Sequence, residues 1–223
     1  EYLQNTLTMF LYFLIPLGFI SIVFAKPGLY ALNPTYEIIS IAAIFLTFKI
    51  FLSTIFGVFS SFLRGAEEVD VKKSTFKEYS KSMLFYLPTL QLIKFSTYIG
   101  LLVSVLLLAK SSSFLDLVLY WSIIAFVIQI PFTIIVSYHV KKKFTLKLEY
   151  NSIVKYSLSA IIAFGSAFLL AEEYLIYTPT IIEFLPNLLL FIGYGIGVYL
   201  LLTYFIDSNT KKLFSAILNN VKN

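Results

Sequence analysis

The sequence predicts an all-α integral membrane protein with six transmembrane helices. Hydrophobic residues make up 59% of the chain and charged residues only 13%, an apolar share well above that of soluble domains. The apolar residues are collected in six runs, each close to or above the roughly 20 residues that a helix needs to cross a bilayer. We therefore expect a multi-pass protein without a soluble core domain.

The six predicted spans are separated by short polar segments. The spans cover residues 7–25, 37–63, 83–109, 114–140, 153–170 and 184–206. Between the first two spans, Lys26 to Tyr36 contains Pro-Gly and Asn-Pro, which are turn signals, so we expect a loop there. The polar segment Ala66 to Ser82 has apolar residues at helical spacing, which predicts a short helix in the membrane interface.

The last span and the tail carry further patterns. Gly193 and Gly197 have GxxxG spacing with Gly195 between them, and inside an apolar span this predicts close packing with a neighbouring helix. Residues 207–223 place apolar side chains on one stripe. They are predicted to form an amphipathic helix on the membrane surface, with Asp207 as its cap.

Positive charge is concentrated in alternate segments. Most lysines and arginines follow the second, fourth and sixth spans. In the segments after the first, third and fifth spans the basic residues are Lys26 and Lys110, and several glutamates follow the fifth span. By the positive-inside rule, both termini of this segment are expected to be cytoplasmic. The expected location is the cell membrane, plasma or inner.

Membrane lipids are the partner that the surface residues predict. Aromatic residues at the span ends are typical of interfacial belts, and they are Tyr30, Tyr36, Trp121, Tyr150 and Tyr177. The net charge of +5 would suggest nucleic acid in a soluble chain. Here the lysines lie in short loops between spans, so we expect no nucleic-acid partner.

Two predicted spans carry a lysine near the bilayer midplane. They are Lys49 in the second span and Lys94 in the third. A lysine at that depth costs about 2.5 to 3.5 kcal/mol on insertion scales. The acidic residues that could pair with these lysines lie at span ends, and they are Glu37, Asp116, Glu149, Glu172, Glu173 and Glu183. Three explanations stay open: a hydrated cavity or anionic ligand, a carboxylate in a partner domain, or a neutral buried lysine.

Polar residues at helical spacing accompany these lysines. The candidate substrate-binding residues are Lys49, Lys94, Gln91, Tyr98, Gln129 and Ser53. Serine also joins membrane helices without any ligand. A proton-driven cation exporter usually needs an intramembrane carboxylate, whereas two cations without one favour a substrate that bears phosphate or another anion.

We expect no catalytic residue, metal or cofactor. The chain has no cysteine and a single histidine, which excludes thiolate chemistry and a histidine cluster. A membrane transferase would want paired carboxylates or an Asp-rich metal site. Glu67, Glu68 and Asp70 form the only such cluster, and the lysines around it make a solvated loop the simpler interpretation.

The order of several short motifs resembles that of a known family. The motifs are Asn33-Pro34-x-Tyr36-Glu37, Phe62-Leu63-Arg64-Gly65, Val69-Asp70, Lys77-x-Tyr79-x-Lys81-Ser82 before Pro88, and Tyr204-Phe205-Ile206-Asp207. With a central Pro16 in the first span, this order is similar to the second half of polysaccharide-biosynthesis flippases. Those proteins belong to the multidrug, oligosaccharidyl-lipid and polysaccharide exporter superfamily.

The resemblance implies one lobe of a transporter with twelve or more spans and alternating access. This segment, residues 1–206, would be the C-terminal six-helix lobe, and its partner the N-terminal lobe of the same protein, absent from this sequence. The implied function is translocation of a polyprenyl-(pyro)phosphate-linked glycan from the cytoplasmic to the outer leaflet, without enzymatic chemistry. Lys49 and then Lys94 would meet the phosphate. The alternatives are a multidrug or metabolite exporter of the same superfamily and an integral membrane glycosyl- or prenyl-transferase.

Overall fold

The fold is a set of helices. The computed structural model describes residues 2–67, 75–109, 113–144, 150–178, 180–208 and 210–211, and none of these residues lies in a strand. The elements are α1 (Tyr2–Val23), α2 (Ala25–Leu32), a 3₁₀ helix (Pro34–Ile39), α3 (Ser40–Gly65), α4 (Phe76–Tyr79), α5 (Met83–Leu108), α6 (Phe114–Lys143), α7 (Tyr150–Tyr174) and α8 (Ile181–Ile206). The all-α prediction is confirmed for the described part of the chain.

Within the described ranges, six helices are long and apolar enough to cross a membrane, and they are α1, α3, α5, α6, α7 and α8. These are the helices expected of a multi-pass membrane protein, because each satisfies its own backbone groups where no water is present. Their ends differ from the predicted spans. For example, α6 continues to Lys143 and α7 to Tyr174, since polar residues at the ends of an apolar run can extend the same backbone hydrogen bonds.

The predicted loop after α1 is wrong, because Ala25–Leu32 forms α2. Pro27 lies in the first turn of this helix, where a backbone N–H has no intrahelical partner, so the proline does not disrupt it. Asn33 ends α2 and begins the 3₁₀ helix, its side-chain oxygen accepting a hydrogen bond from the Thr35 N–H at 3.0 Å. The turn signals therefore mark helix boundaries and not a loop.

The predicted interfacial segments are described only in part. In Ala66 to Ser82 the structure has one helical turn, α4, opened by Thr75, whose N–H donates to the Glu78 carboxylate at 2.9 Å. The rest of the expected helix falls partly on residues outside the described ranges. The same holds for 212–223, so the amphipathic tail stays a prediction.

The chain divides into two compact units. Unit 1 comprises residues 1–40 and 147–223, and unit 2 comprises residues 41–146. Unit 1 thus contains α1, α2, α7 and α8, whereas unit 2 contains α3, α4, α5 and α6. The single six-helix lobe of residues 1–206 stays a prediction.

In unit 1, α7 packs against α1 and α8 through a face of small side chains. Ala160, Ala163 and Ala167 on this face are completely buried. Small residues let membrane helices approach closely, which increases the dispersion contacts between them. The tight contact of α7 and α8 follows from these alanines.

The glycine at this contact is Gly195. A Cβ added there would lie 2.7 Å from a Phe164 ring carbon and 3.3 Å from the Ala167 Cβ, while one added at Gly193 or Gly197 would meet nothing within 4 Å. The close packing predicted from the GxxxG spacing therefore occurs at the glycine between the two GxxxG positions. α8 presents Gly195 to α7, so the spacing identified the right segment but not the contacting residue.

Asp207 is a buried carboxylate at the end of α8 and is 2% exposed. It accepts hydrogen bonds from the Tyr156 hydroxyl at 2.9 Å, the Ser152 hydroxyl at 3.2 Å and the Thr210 N–H at 3.1 Å. The Lys155 ammonium lies 3.8 Å away. Burial raises the pKa of Asp207, but these hydrogen bonds outweigh it and hold the pKa below the ordinary value of 3.8. The charged carboxylate thus joins the start of α7 to the end of α8.

Tyrosines connect this cluster to α1. The Tyr199 hydroxyl donates to the Tyr12 carbonyl at 2.8 Å, and the Tyr12 hydroxyl lies 3.3 Å from that of Thr203. The Tyr12 ring meets the Tyr156 ring edge to face, at 5.2 Å between centroids. The hydroxyls of Tyr12, Tyr156, Tyr199 and Thr203 each have a partner, which is the condition under which buried polar groups do not destabilise a core.

In unit 2, α6 contacts both α3 and α5. Phe126 of α6 packs near Phe45 and Phe48 of α3, at 6.0 and 5.8 Å between ring centroids. Tyr86 of α5 packs against His139 of α6 at 5.0 Å. Together with the contacts of Lys94 with Gln129 and of Leu52 with Thr133, these pairs show that α6 runs antiparallel to α5 and parallel to α3.

Glu67 joins the ends of α3, α5 and α6 in unit 2. Its carboxylate accepts a hydrogen bond from the Met83 N–H, the first residue of α5, at 2.9 Å. The same oxygen lies 3.7 Å from the Lys143 ammonium at the end of α6. A carboxylate at a helix N-terminus is favourable because the first backbone N–H groups have no intrahelical acceptor. Glu67 therefore links the end of α3 to the start of α5 and the end of α6.

Candidate functional site

Unit 2 contains a pocket of about 220 Å³ between α3, α5 and α6. Five of the six candidate residues line it, and they are Lys49, Ser53, Lys94, Tyr98 and Gln129. Gln91 is not among the lining residues. It precedes Lys94 by nearly one helical turn, so it lies on the same side of α5 but closer to the start of the helix.

The pocket also has lining residues that the sequence reasoning missed. These are Leu46, Phe95, Trp121, Ala125 and Ile128. Trp121, predicted to belong to the interfacial belt, also lines the pocket, and its indole N–H donates to the Tyr98 hydroxyl. A signal was present, because Trp121, Ala125, Ile128 and Gln129 follow the i, i+4, i+7, i+8 pattern of one helix face.

Lys94 is held by its neighbours. Its ammonium donates to the Gln129 side-chain oxygen at 3.3 Å and lies 4.6 Å from the centroid of the Phe56 ring, within the range of a cation–π contact. The Gln129 amide nitrogen donates in turn to the Thr133 hydroxyl at 3.1 Å. This orients the amide oxygen toward the lysine, so Lys94 is positioned before any ligand binds.

Thr133 links this chain of hydrogen bonds to α3. Its hydroxyl donates to the Gln129 carbonyl at 2.9 Å, and the Leu52 carbonyl of α3 lies 3.3 Å from the same oxygen. The wall that carries Lys94 therefore involves all three helices.

Lys49 differs from Lys94 in having no polar partner among the described residues. It is partly buried and lines the same pocket, yet it makes no hydrogen bond or ion pair with another residue of the described ranges. No aspartate or glutamate is among the described residues that line the pocket. Two ammonium groups without a carboxylate give the pocket a positive potential.

The described lining of the pocket has the chemistry to bind an anion. Lysines bind phosphate as point charges, and charge-assisted hydrogen bonds are about twice as strong as neutral ones. The volume of about 220 Å³ lies below the roughly 300 to 1,000 Å³ of pockets that enclose a whole drug-sized ligand. The pocket therefore fits a head group better than a complete oligosaccharide.

Glu67 is the described member of the acidic cluster that a transferase would use, and its contacts are structural. Glu67 contacts Met83 and Lys143, as above, while Glu68 and Asp70 lie outside the described residues. Across the described ranges, no three His, Asp or Glu side chains lie close enough together to hold a metal ion. The contacts of Glu67, the one described member, do not favour the transferase interpretation.

Comparisons with protein-family models, with curated proteins and with solved structures found no match to this chain. The resemblance to polysaccharide flippases therefore rests on the sequence motifs, and it stays a prediction. The geometry of the pocket stands independently of that resemblance.

Proposed function

We propose that this chain is the C-terminal lobe of a flippase that moves a polyprenyl-phosphate- or diphosphate-linked glycan from the cytoplasmic to the outer leaflet. The observation that carries the proposal is the convergence of Lys49 and Lys94 on one pocket whose described lining has no carboxylate. Charged side chains inside membrane helices are costly and usually mark a substrate or ion pathway. A phosphate group would offset that cost for both lysines.

The two lysines have different roles in this proposal. Lys94, already held by Gln129 and Phe56, provides a fixed positive charge. Lys49 has no competing partner among the described residues, so its ammonium is available to the phosphate oxygens. The lipid tail stays in the bilayer, the glycan occupies hydrated space, and no covalent bond is broken.

The other half of the transport pathway would come from the N-terminal lobe of the same protein. Rocking of the two lobes would expose the lysines alternately to each side of the membrane. Both termini of this segment would be cytoplasmic, as the distribution of lysine and arginine favours. A multidrug or metabolite exporter is less well supported, because the described pocket lining lacks the acidic residue that proton-coupled cation export usually needs.

Replacing either lysine with alanine is expected to slow lipid flipping at least tenfold. Each change removes a charge-assisted contact with phosphate, worth roughly 1.5 to 3 kcal/mol. Lys49→Arg keeps the charge and is expected to retain part of the rate. The measurement is flipping of a labelled lipid-linked oligosaccharide by the full-length protein in proteoliposomes.

Lys142→Ala provides a matched control. Lys142 is an exposed lysine at the end of α6 and does not line the pocket, so its loss should leave the rate near wild type. Expression and thermal stability are compared across all variants. Wild-type flipping by both Lys49→Ala and Lys94→Ala would overturn the proposed function and leave the lysines as structural residues.

A further inference from the structure

One wall of the lysine pocket is aromatic. Phe95 and Tyr98 of α5 and Trp121 of α6 line it beside the two lysines. We infer that Trp121 and Tyr98 hold the sugar ring next to the phosphate, so that the pocket prefers a glycan-bearing lipid to the sugar-free lipid phosphate. This inference rests on the proposed function, because it assigns a second contact to the same site.

The aromatic wall is held in place. The Trp121 indole N–H donates to the Tyr98 hydroxyl, which fixes two rings from different helices relative to each other. Trp121 remains 39% exposed, so part of its ring is accessible to a ligand. Because the Tyr98 oxygen accepts this hydrogen bond, its own hydroxyl proton is free to be donated to a ligand oxygen.

The spacing along the helices suits a sugar attached to phosphate. Tyr98 lies one turn beyond Lys94 on α5, which is about 6 Å along the helix axis. Trp121 is linked to Tyr98 and therefore lies on the same side of the lysines. A phosphate at Lys49 and Lys94 would thus place the next group of the ligand against the aromatic wall.

A sugar matches this wall better than an isoprenoid tail. A pyranose ring has an apolar face of C–H groups that packs on a flat aromatic ring and a rim of hydroxyls that need hydrogen-bond partners. Tyr98, Ser53 and Gln129 provide polar groups in the same pocket. A hydrocarbon tail would desolvate those groups without satisfying them, which is unfavourable.

The test compares two soluble ligands that differ by one sugar. They are farnesyl diphosphate and farnesyl diphosphate carrying a single N-acetylglucosamine, and their binding to the purified full-length protein is measured by titration calorimetry. Trp121→Leu removes the flat ring but keeps an apolar side chain. We expect it to weaken binding of the sugar-bearing lipid roughly three- to tenfold and to leave farnesyl diphosphate unchanged.

Two further variants keep the result interpretable. Trp121→Phe retains a ring and is expected to preserve most of the preference for the sugar-bearing lipid. Tyr120→Leu removes an aromatic side chain of the same 39% exposure that does not line the pocket, and should change neither affinity. Equal weakening of both lipids by Trp121→Leu would indicate a contact with the tail or the fold, and would overturn the inference, as would no weakening of either.

Lys49→Ala separates this inference from the proposed function. If lysines hold the phosphate, Lys49→Ala weakens both lipids by a similar factor. If Lys49→Ala and Lys94→Ala change neither affinity while Trp121→Leu weakens only the sugar-bearing lipid, the phosphate site fails and the sugar contact stands.

Discussion

Replacing Asp207 with alanine is expected to lower the melting temperature of the protein by about 5 to 10 °C. The change removes the carboxylate that accepts hydrogen bonds from the Tyr156 and Ser152 hydroxyls and pairs with the Lys155 ammonium. Removing one member of a buried charged network costs about 3 kcal/mol, because the remaining groups stay desolvated. The melting temperature is obtained by heating the protein in detergent and measuring, by size-exclusion chromatography, the fraction that remains folded and monodisperse at each temperature.

Two controls accompany Asp207→Ala. Tyr156→Phe removes a single hydrogen bond from the cluster, so its effect should be about a third as large. Glu173→Gln changes the charge of an exposed carboxylate in α7 and should leave the melting temperature within about 1 °C. A melting temperature of Asp207→Ala equal to wild type would show that the cluster adds no stability.

The contribution of Asp207 to the stability of the fold is expected to decrease at low pH. Because the hydrogen bonds hold the folded-state pKa below 3.8, the folded protein binds this proton less readily than the unfolded chain. The contribution is therefore complete above about pH 4 and is lost as the pH falls through the lowered pKa. The difference in melting temperature between wild type and Asp207→Asn should shrink over that range, and a constant difference would contradict the prediction.

The second large effect is expected at Gly195. The Cβ of Gly195→Ala would lie 2.7 and 2.8 Å from two carbons of the Phe164 ring, and that ring is completely buried. At these distances the buried ring or the two helices must shift, at a cost of about 1 to 3 kcal/mol. The same heating assay should show a lower melting temperature for this variant.

The neighbouring glycines provide the matched comparison. Gly193→Ala and Gly197→Ala add the same methyl group to the same helix, where nothing lies within 4 Å. Alanine also restricts the unfolded chain, so these variants should be neutral or more stable by up to about 1 kcal/mol. If all three variants behave alike, the contact of Gly195 with Phe164 does not limit the packing of α7 and α8.

The long helices could be predicted because hydrocarbon imposes a length and a composition that few soluble segments share. α2 could not, since Pro27 and Gly28 indicate a turn in a local pattern. Only the hydrogen bonds of the folded chain, such as that from the Gly28 N–H to the Phe24 carbonyl at 2.8 Å, show that the helix forms. The local sequence predicts Asp207 only as a helix cap, because its contacts with Ser152 and Tyr156 join residues distant in sequence.

The pocket was partly predictable for a similar reason. Helical periodicity places Lys49 beside Ser53 and Lys94 beside Tyr98, since these pairs lie four residues apart. Periodicity does not show where along the bilayer the three helices diverge to form a pocket. It therefore predicts Gln91 as a lining residue and does not predict Trp121 as one. The contact between Trp121 and Tyr98 depends on the register of α5 against α6, which only packing determines.

Trp121 also makes the pocket accessible to spectroscopy. It is the one tryptophan of this chain, and the chain has no cysteine. Indole emission from this chain therefore originates at the pocket wall alone, and any cysteine introduced into it becomes a unique attachment point for an acceptor dye. Energy transfer between the two would follow changes at the pocket during the proposed transport cycle, with no other tryptophan or thiol of this chain contributing to the signal.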